Sequence, residues 1–137
     1  RSSDLIATFD DLLKAARQQP DAQRLLMVFT AATLPDDCTP DQRARFEAGE
    51  GGELSPIMCV DKTPDELGSF AALLAEARQL GQPWVLVFVA GMSGRGAQPP
   101  TAEEAQKPLE GMVQAIKDGR LEHFIPFDQQ GQAVSLQ

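Results

Sequence analysis

Two apolar runs limit what this chain can become. Residues 84–91 read Trp-Val-Leu-Val-Phe-Val-Ala-Gly, and residues 25–31 read Leu-Leu-Met-Val-Phe-Thr-Ala. Each has strand length, is rich in β-branched and aromatic residues, and is unbroken by charge. That is the pattern of a strand covered on both faces. The runs align at Phe29 and Phe88, and both are expected at the centre of one sheet. With 42% hydrophobic residues in 137, the chain can bury such a core without disulfides or metals. A single domain over 1–137 is expected.

The remaining elements fall around these runs. Residues 2–19 form an amphipathic pattern, with Leu5, Phe9, Leu12, Leu13 and Ala16 at three- and four-residue spacings. Thr39-Pro40-Asp41-Gln42 opens a second helix with a capping-box pattern, closed by Gly49-Glu50-Gly51-Gly52. Residues 55–61 read as a short strand with an early proline, Pro56. Thr63-Pro64-Asp65-Glu66 is the clearest capping box and begins a third helix, which Gly81 ends. Thr101-Ala102-Glu103-Glu104 starts a fourth helix running to about Asp118, and Pro108 predicts a kink or restart within it. Residues 123–128 form another short strand with an internal proline, Pro126. The turn Gln129-Gln130-Gly131 leads to a last strand, 132–136, paired with it as a hairpin.

The order is therefore helix-strand-helix-strand, twice, with a strand added. Asp4, Phe9, Leu12, Leu13, Ala16, Arg17 and Gln18 recur 61 residues later as Asp65, Phe70, Leu73, Leu74, Ala77, Arg78 and Gln79. After a two-residue contraction Val28-Phe29 meets Val87-Phe88. Any two amphipathic helices share leucines and alanines, but Asp4, Arg17 and Gln18 repeat on the polar side. We read tandem pseudo-repeats over 2–61 and 63–128.

Proline is tolerated at sheet edges and poorly in the middle. The strands bearing Pro56 and Pro126 should lie outside, and the two apolar strands should meet as an antiparallel pair about a pseudo-twofold axis. The fold class expected is α/β: a mixed β-sheet with helices on at least one face.

A net charge of −8 and no basic stripe argue against nucleic acid and against anionic membranes. No apolar stretch approaches the ~20 residues of a membrane helix. Cys38 and Cys59 form no CxxC pair, which favours a reducing cytoplasm. Nothing in the first residues resembles a signal peptide, although a start at Arg1 leaves a removed leader open.

Ligands of open α/β sheets gather beyond the carboxyl ends of strands. The loop 91–96, Gly-Met-Ser-Gly-Arg-Gly, is the most suggestive such place. Its glycines let backbone N–H groups approach an anion, while Ser93 and Arg95 add a hydroxyl and a charge. The candidate ligand-binding residues are Ser93, Gly94, Arg95, Gly96 and Asp61; the alternative is a plain linker. The loop matches neither a Walker motif nor a dinucleotide fingerprint, so no cofactor is expected.

Asp61 and Asp128 end equivalent strands, but on outer strands they would sit too far apart to work as acid and base, and turn formation explains them as well. Asp36 and Asp37 read as solvated loop residues. A single histidine, His123, leaves almost no room for a zinc site or a catalytic triad. Cys38, in an acidic loop, is a weak nucleophile and supports only a thiol-sensor reading. Cys59 reads as a small hydrophobe within a strand. Trp84 reads as a core or sheet-edge residue.

The run Leu34-Pro35-Asp36-Asp37 through Arg43, Phe46, Glu47, Gly49, Gly51 and Gly52, then Cys59-Val60-Asp61-Lys62-Thr63-Pro64 with Glu66-Leu67, and Val87-Phe88-Val89-Ala90 with Ser93-Gly94, carry a resemblance over nearly the whole chain. The sequence resembles a family of small, functionally uncharacterised proteobacterial proteins sometimes labelled ribonucleotide reductase alpha subunit. The resemblance implies no activity and no site residues. The label itself fails, because a chain of this length with two cysteines cannot hold a radical-bearing barrel and its reducing cysteine pair.

These features favour a non-enzymatic binding or regulatory protein of the bacterial cytoplasm, acting through protein contacts that include self-association along the outer strands. Proline on those strands works partly against such pairing. The alternative is a protein that binds, or an enzyme that acts on, a small anionic molecule at the 91–96 loop.

Overall fold

The computed structural model describes residues 7–33, 40–41, 44, 53–79, 81 and 84–134. In chain order the elements are α1 (Phe9–Arg17), β1 (Gln23–Thr33), β2 (Glu53–Lys62), α2 (Pro64–Leu67), α3 (Phe70–Arg78), β3 (Leu86–Ser93), α4 (Ala102–Lys117) and β4 (Ile125–Phe127). Residues 40, 41 and 44 are helical; the rest of the helix expected around them lies outside the described residues, as do Asp36, Asp37 and Cys38.

The sheet order is β2-β1-β3-β4. The two apolar strands are neighbours at its centre, and the proline-bearing strands form its edges. Val28 stands opposite Phe88, and Phe29 opposite Val87. Every pairing between named strands is antiparallel, which corrects the expectation of a mixed sheet. The connection through α2 and α3 steps across β1, so β2 and β3 run parallel but are held apart by β1, which is antiparallel to both.

Both faces of the sheet are buried, as continuous apolar strands require. On one face Leu25, Met27, Phe29, Val87 and Val89 pack with Phe9, Leu13, Phe70, Leu73 and Ala77 of α1 and α3. On the other, Leu26, Val28 and Phe88 pack with Ala105, Met112 and Ile116 of α4. Phe29 also carries the edge of Trp84, whose ring centroid lies 5.0 Å away. Thr30 is buried but satisfied, its hydroxyl donating to the Leu86 carbonyl at 3.0 Å.

The edges are unlike. On β2 the register slips between Phe29 and Thr30: Met58 faces Phe29 and Pro56 faces Thr30, leaving Ile57 as an extra residue. A bulge on an outer strand is where proline does least harm. On the far side β4 is only three residues long. Of the expected strand 132–136 only 132–134 are described, with single bridges instead of a continuous ladder. Gln132 and Ala133 make single bridges to Thr8 and Phe127, and 135–137 lie outside the described residues. The turn into them is tight: the Asp128 N–H donates to the Gln132 carbonyl and the Val134 N–H to the Pro126 carbonyl. Residues 132–133 therefore lie along the outside of β4 and tie it to the start of α1.

The helices begin and end where side chains dictate. Thr8 and Asp11 form a capping box on α1, so the described part of the expected 2–19 helix starts only at Phe9. The expected third helix is broken in two by Gly68, which adopts φ 75°, in the left-handed region glycine favours. Ser69 then caps α3, assisted by Asp10 of α1, whose carboxylate accepts the Phe70 N–H at 3.2 Å. No break occurs in α4 at Pro108. Pro108 and Glu104 are both exposed, so water can take the carbonyl that the proline leaves without a donor.

α1 and α3 are each nine residues long, from phenylalanine to arginine, Phe9–Arg17 and Phe70–Arg78. Both lie on the same face of the sheet, and the rings of Phe9 and Phe70 touch.

Candidate functional site

The glycine loop is a built turn rather than a slack linker. Arg95 and Gln98 exchange backbone hydrogen bonds of 2.8 and 2.9 Å across Gly96-Ala97. The Gly94 N–H donates to the Ala22 carbonyl at 2.8 Å, and the Gly96 N–H donates to Asp21 Oδ1 at 2.9 Å. The amides that an incoming anion would use are thus already bonded, one of them to a carboxylate of the chain itself. Gly94 is required by close approach, since a Cβ there would lie 2.0 Å from the Gln98 carbonyl oxygen.

This turn forms one wall of an open cleft of about 700 Å³, which includes Ser93, Gly94 and Arg95. Arg95 is exposed, and its guanidinium has no partner among the described residues. The opposite wall is the start of α4. There Thr101 and Glu104 form a capping box: the Glu104 carboxylate accepts the Thr101 N–H at 2.9 Å, and Thr101 Oγ1 accepts the Glu104 N–H at 3.0 Å. With Glu103 beside it, the positive end of this helix is screened by the chain's own acids.

Asp61 reaches the same region through a residue that the sequence reading passed over. Arg24 Nε donates to Asp61 Oδ2 at 2.8 Å, and Arg24 Nη1 donates to the Pro100 carbonyl at 3.3 Å. Glu66 Oε1 lies 3.9 Å from Nη1. The side chains of Arg24 and Asp61 are 12% and 24% exposed, so this is a partly desolvated ion pair that fastens β1 to β2 and to the loop before α4. Only the strand register reveals it, because Leu26 opposite Asp61 brings Arg24 alongside on the same face. The Glu66 carboxyl is held below its ordinary range chiefly by the Thr63 backbone N–H, against partial burial and with help from the Thr63 hydroxyl, Arg24 and Lys62.

The antiparallel sheet divides the other candidates. The ends of β2 and β3 share one rim with the start of β1, so Asp61 and Ser93 lie on the same side of the molecule. The end of β4, and Asp128 after it, belongs to the opposite rim and opposite edge. Three strand spacings alone put Asp61 and Asp128 roughly 14 Å apart. Asp128 serves its turn, with Oδ1 accepting the N–H groups of Gln130 and Gln132.

His123 is exposed at the rim of a smaller cleft beside α1. Cys59 is exposed, not packed as a hydrophobe. It stands opposite Val28, on the same face of the sheet but one strand further out. Among the described residues no group of three or more His, Cys, Asp or Glu is arranged to hold a metal, and no helix is long and apolar enough to cross a membrane.

Comparison with protein-family models, with curated proteins and with solved structures gave no match.

Proposed function

We propose that this is a non-enzymatic binding or regulatory protein of the bacterial cytoplasm that works through protein contacts along the outer edge of β2, self-association being the first of them. The observation that carries this reading is the edge itself. β2 is ten residues long, pairs with β1 on one side, and meets no strand on the other among the described residues. Over 57–62 it presents main-chain groups beside the half-buried Ile57, Met58 and Val60 and the exposed Cys59. A second β2 related by a twofold axis would pair antiparallel with it and continue the sheet.

The test combines sedimentation velocity from micromolar to millimolar concentration with amide exchange. Association along this edge predicts slower exchange over 57–62 as concentration rises, and loss of the oligomer in Cys59→Lys. A strict monomer removes the self-association reading.

We further propose that the fold arose by tandem duplication of a unit corresponding to 2–61 and 63–128. Support comes from the matched bounds and caps of α1 and α3, the symmetric strand order, and the contact of Phe9 with its counterpart Phe70. Val28-Phe29 also stands directly across from its counterpart Val87-Phe88. The family resemblance carried by 34–37, 59–64 and 87–94 belongs to the same proposal.

A second reading is favoured by one observation. The guanidinium of Arg95, without a partner among the described residues, lies with Ser93 in the larger cleft and offers a contact to a small anionic ligand. Since the loop amides are already bonded, Arg95 would carry such binding nearly alone, and Arg95→Ala should abolish stabilisation by phosphate or carboxylate compounds.

A further inference from the structure

We propose that the smaller cleft, between α1 and the end of the β1–β3 pair, binds a small planar aromatic molecule about the size of indole. The cleft has a volume of about 240 Å³. An apolar cavity of about 150 Å³ is enough to take up benzene, so a bicyclic ring fits here. Its floor is Leu25 and Val89, each 2% exposed. Leu12 and Ala16 of α1 form one wall and Ile125 the other. Gly91, directly opposite Leu25, adds no side chain, and this absence opens the slot. Gln19 and the exposed His123 stand at the mouth, where a ring N–H or hydroxyl could be hydrogen-bonded.

The chemistry of the occupant is suggested by the other half of the molecule. Aligning the halves through Val28-Phe29 and Val87-Phe88 places Trp84 at the position of Leu25. That comparison rests on the duplication proposed above. In the second half the chain supplies its own indole: Trp84 is 7% exposed and meets Phe29 edge-on at 5.0 Å. In the first half the smaller leucine leaves the space beside α1 unfilled. A flat aromatic ring inserted there would face Leu25 and Val89, and burial of its apolar faces would drive binding.

The test is a titration of the full chain with indole, followed by amide NMR. Saturable shifts are expected at Leu12, Ala16, Val89, Gly91 and His123. Leu25→Trp should remove them by supplying the ring from within. Gly91→Val, whose Cβ meets only the side chains of Gln23 at 3.4 Å and Leu25 at 3.8 Å, should weaken binding at least tenfold, and it decides the matter if Leu25→Trp does not fold. The proposal is overturned by an absence of saturable shifts up to millimolar indole, by shifts centred elsewhere, or by unchanged binding in Gly91→Val. Dimerisation would use the outer edge of β2, none of whose residues lines this cleft, so its failure would leave this result intact.

Discussion

The rings of Phe9 and Phe70 meet with centroids 5.3 Å apart and planes inclined at 45°, at the point where the first turns of α1 and α3 converge over the sheet. Phe127 closes the group, its ring edge-on to Phe9, also at 5.3 Å. Phe9 is 0% exposed. This cluster binds α1 and α3 to each other and to the strand at the sheet's far edge.

Phe9→Ala is therefore expected to cost about 3–5 kcal/mol in urea denaturation, the range for deleting a buried ring. The Phe70→Ala change should cost a similar amount. A double-mutant cycle on the pair should return a coupling of about 0.5–1.5 kcal/mol beyond the loss of buried area. Strict additivity would show that the rings merely share a cavity.

Asp61→Ala leaves the guanidinium of Arg24 partly desolvated and short of its best acceptor. Stability should fall by about 1–3 kcal/mol. Replacing both partners by apolar residues of similar volume, as in Arg24→Met with Asp61→Leu, should recover much of that loss. Equilibrium unfolding of the two singles and the double is the measurement. If Asp61→Ala is neutral, the pair does not fasten β1 to β2.

Acid should reveal the capping box of α2. The Glu66 carboxyl is held below its ordinary value of 4.5, mainly by the Thr63 backbone N–H. A depressed carboxyl contributes stability that is fully present above the unfolded-state value and is lost as pH falls through the folded-state value. NMR titration should give a Glu66 midpoint below 4.5, and Glu66→Gln should lower stability slightly at neutral pH, where the carboxylate contributes, while leaving strongly acidic stability nearly unchanged, so that the decline below pH 4.5 is flatter. Since the side chain is 57% exposed, the effect is small and weakens with added salt.

Gly91 at the end of β3 and Gly94 in the turn after it should answer oppositely to alanine. At Gly91 the new Cβ meets nothing closer than 3.4 Å, and strand glycine is entropically costly, so Gly91→Ala should stabilise by about 0.5–1 kcal/mol. At Gly94 the Cβ would fall 2.0 Å from the Gln98 carbonyl oxygen and 2.8 Å from Pro99 Cα. That substitution must open the turn and should lower the melting temperature by several degrees.

Much of this fold could be read from local chemistry. Pro56 and Pro126 cannot donate to a ladder, which placed their strands outside before any geometry was known. Continuous apolar runs read as strands covered on both faces, with helices expected on at least one, and helices are found on both. The break at Gly68 was missed because its apolar spacing continues through Leu67 and Phe70; the overlooked signal was glycine followed by a second capping residue, Ser69. Arg24 went unremarked because its partners, Asp61 and Pro100, are distant in sequence, and only the pairing of Leu26 with Asp61 brings them together. The glycine loop looked like an anion cradle because composition does not reveal that Asp21 already occupies one of its amides.

The unequal flanks of the sheet set a limit on growth. Residues 132–133 lie against β4 and anchor it to Thr8, while β2 stays open on its outer side among the described residues. If β2 pairs with its twofold mate as proposed, each copy uses its open margin once, and assembly through that edge ends at a closed pair instead of a growing fibre.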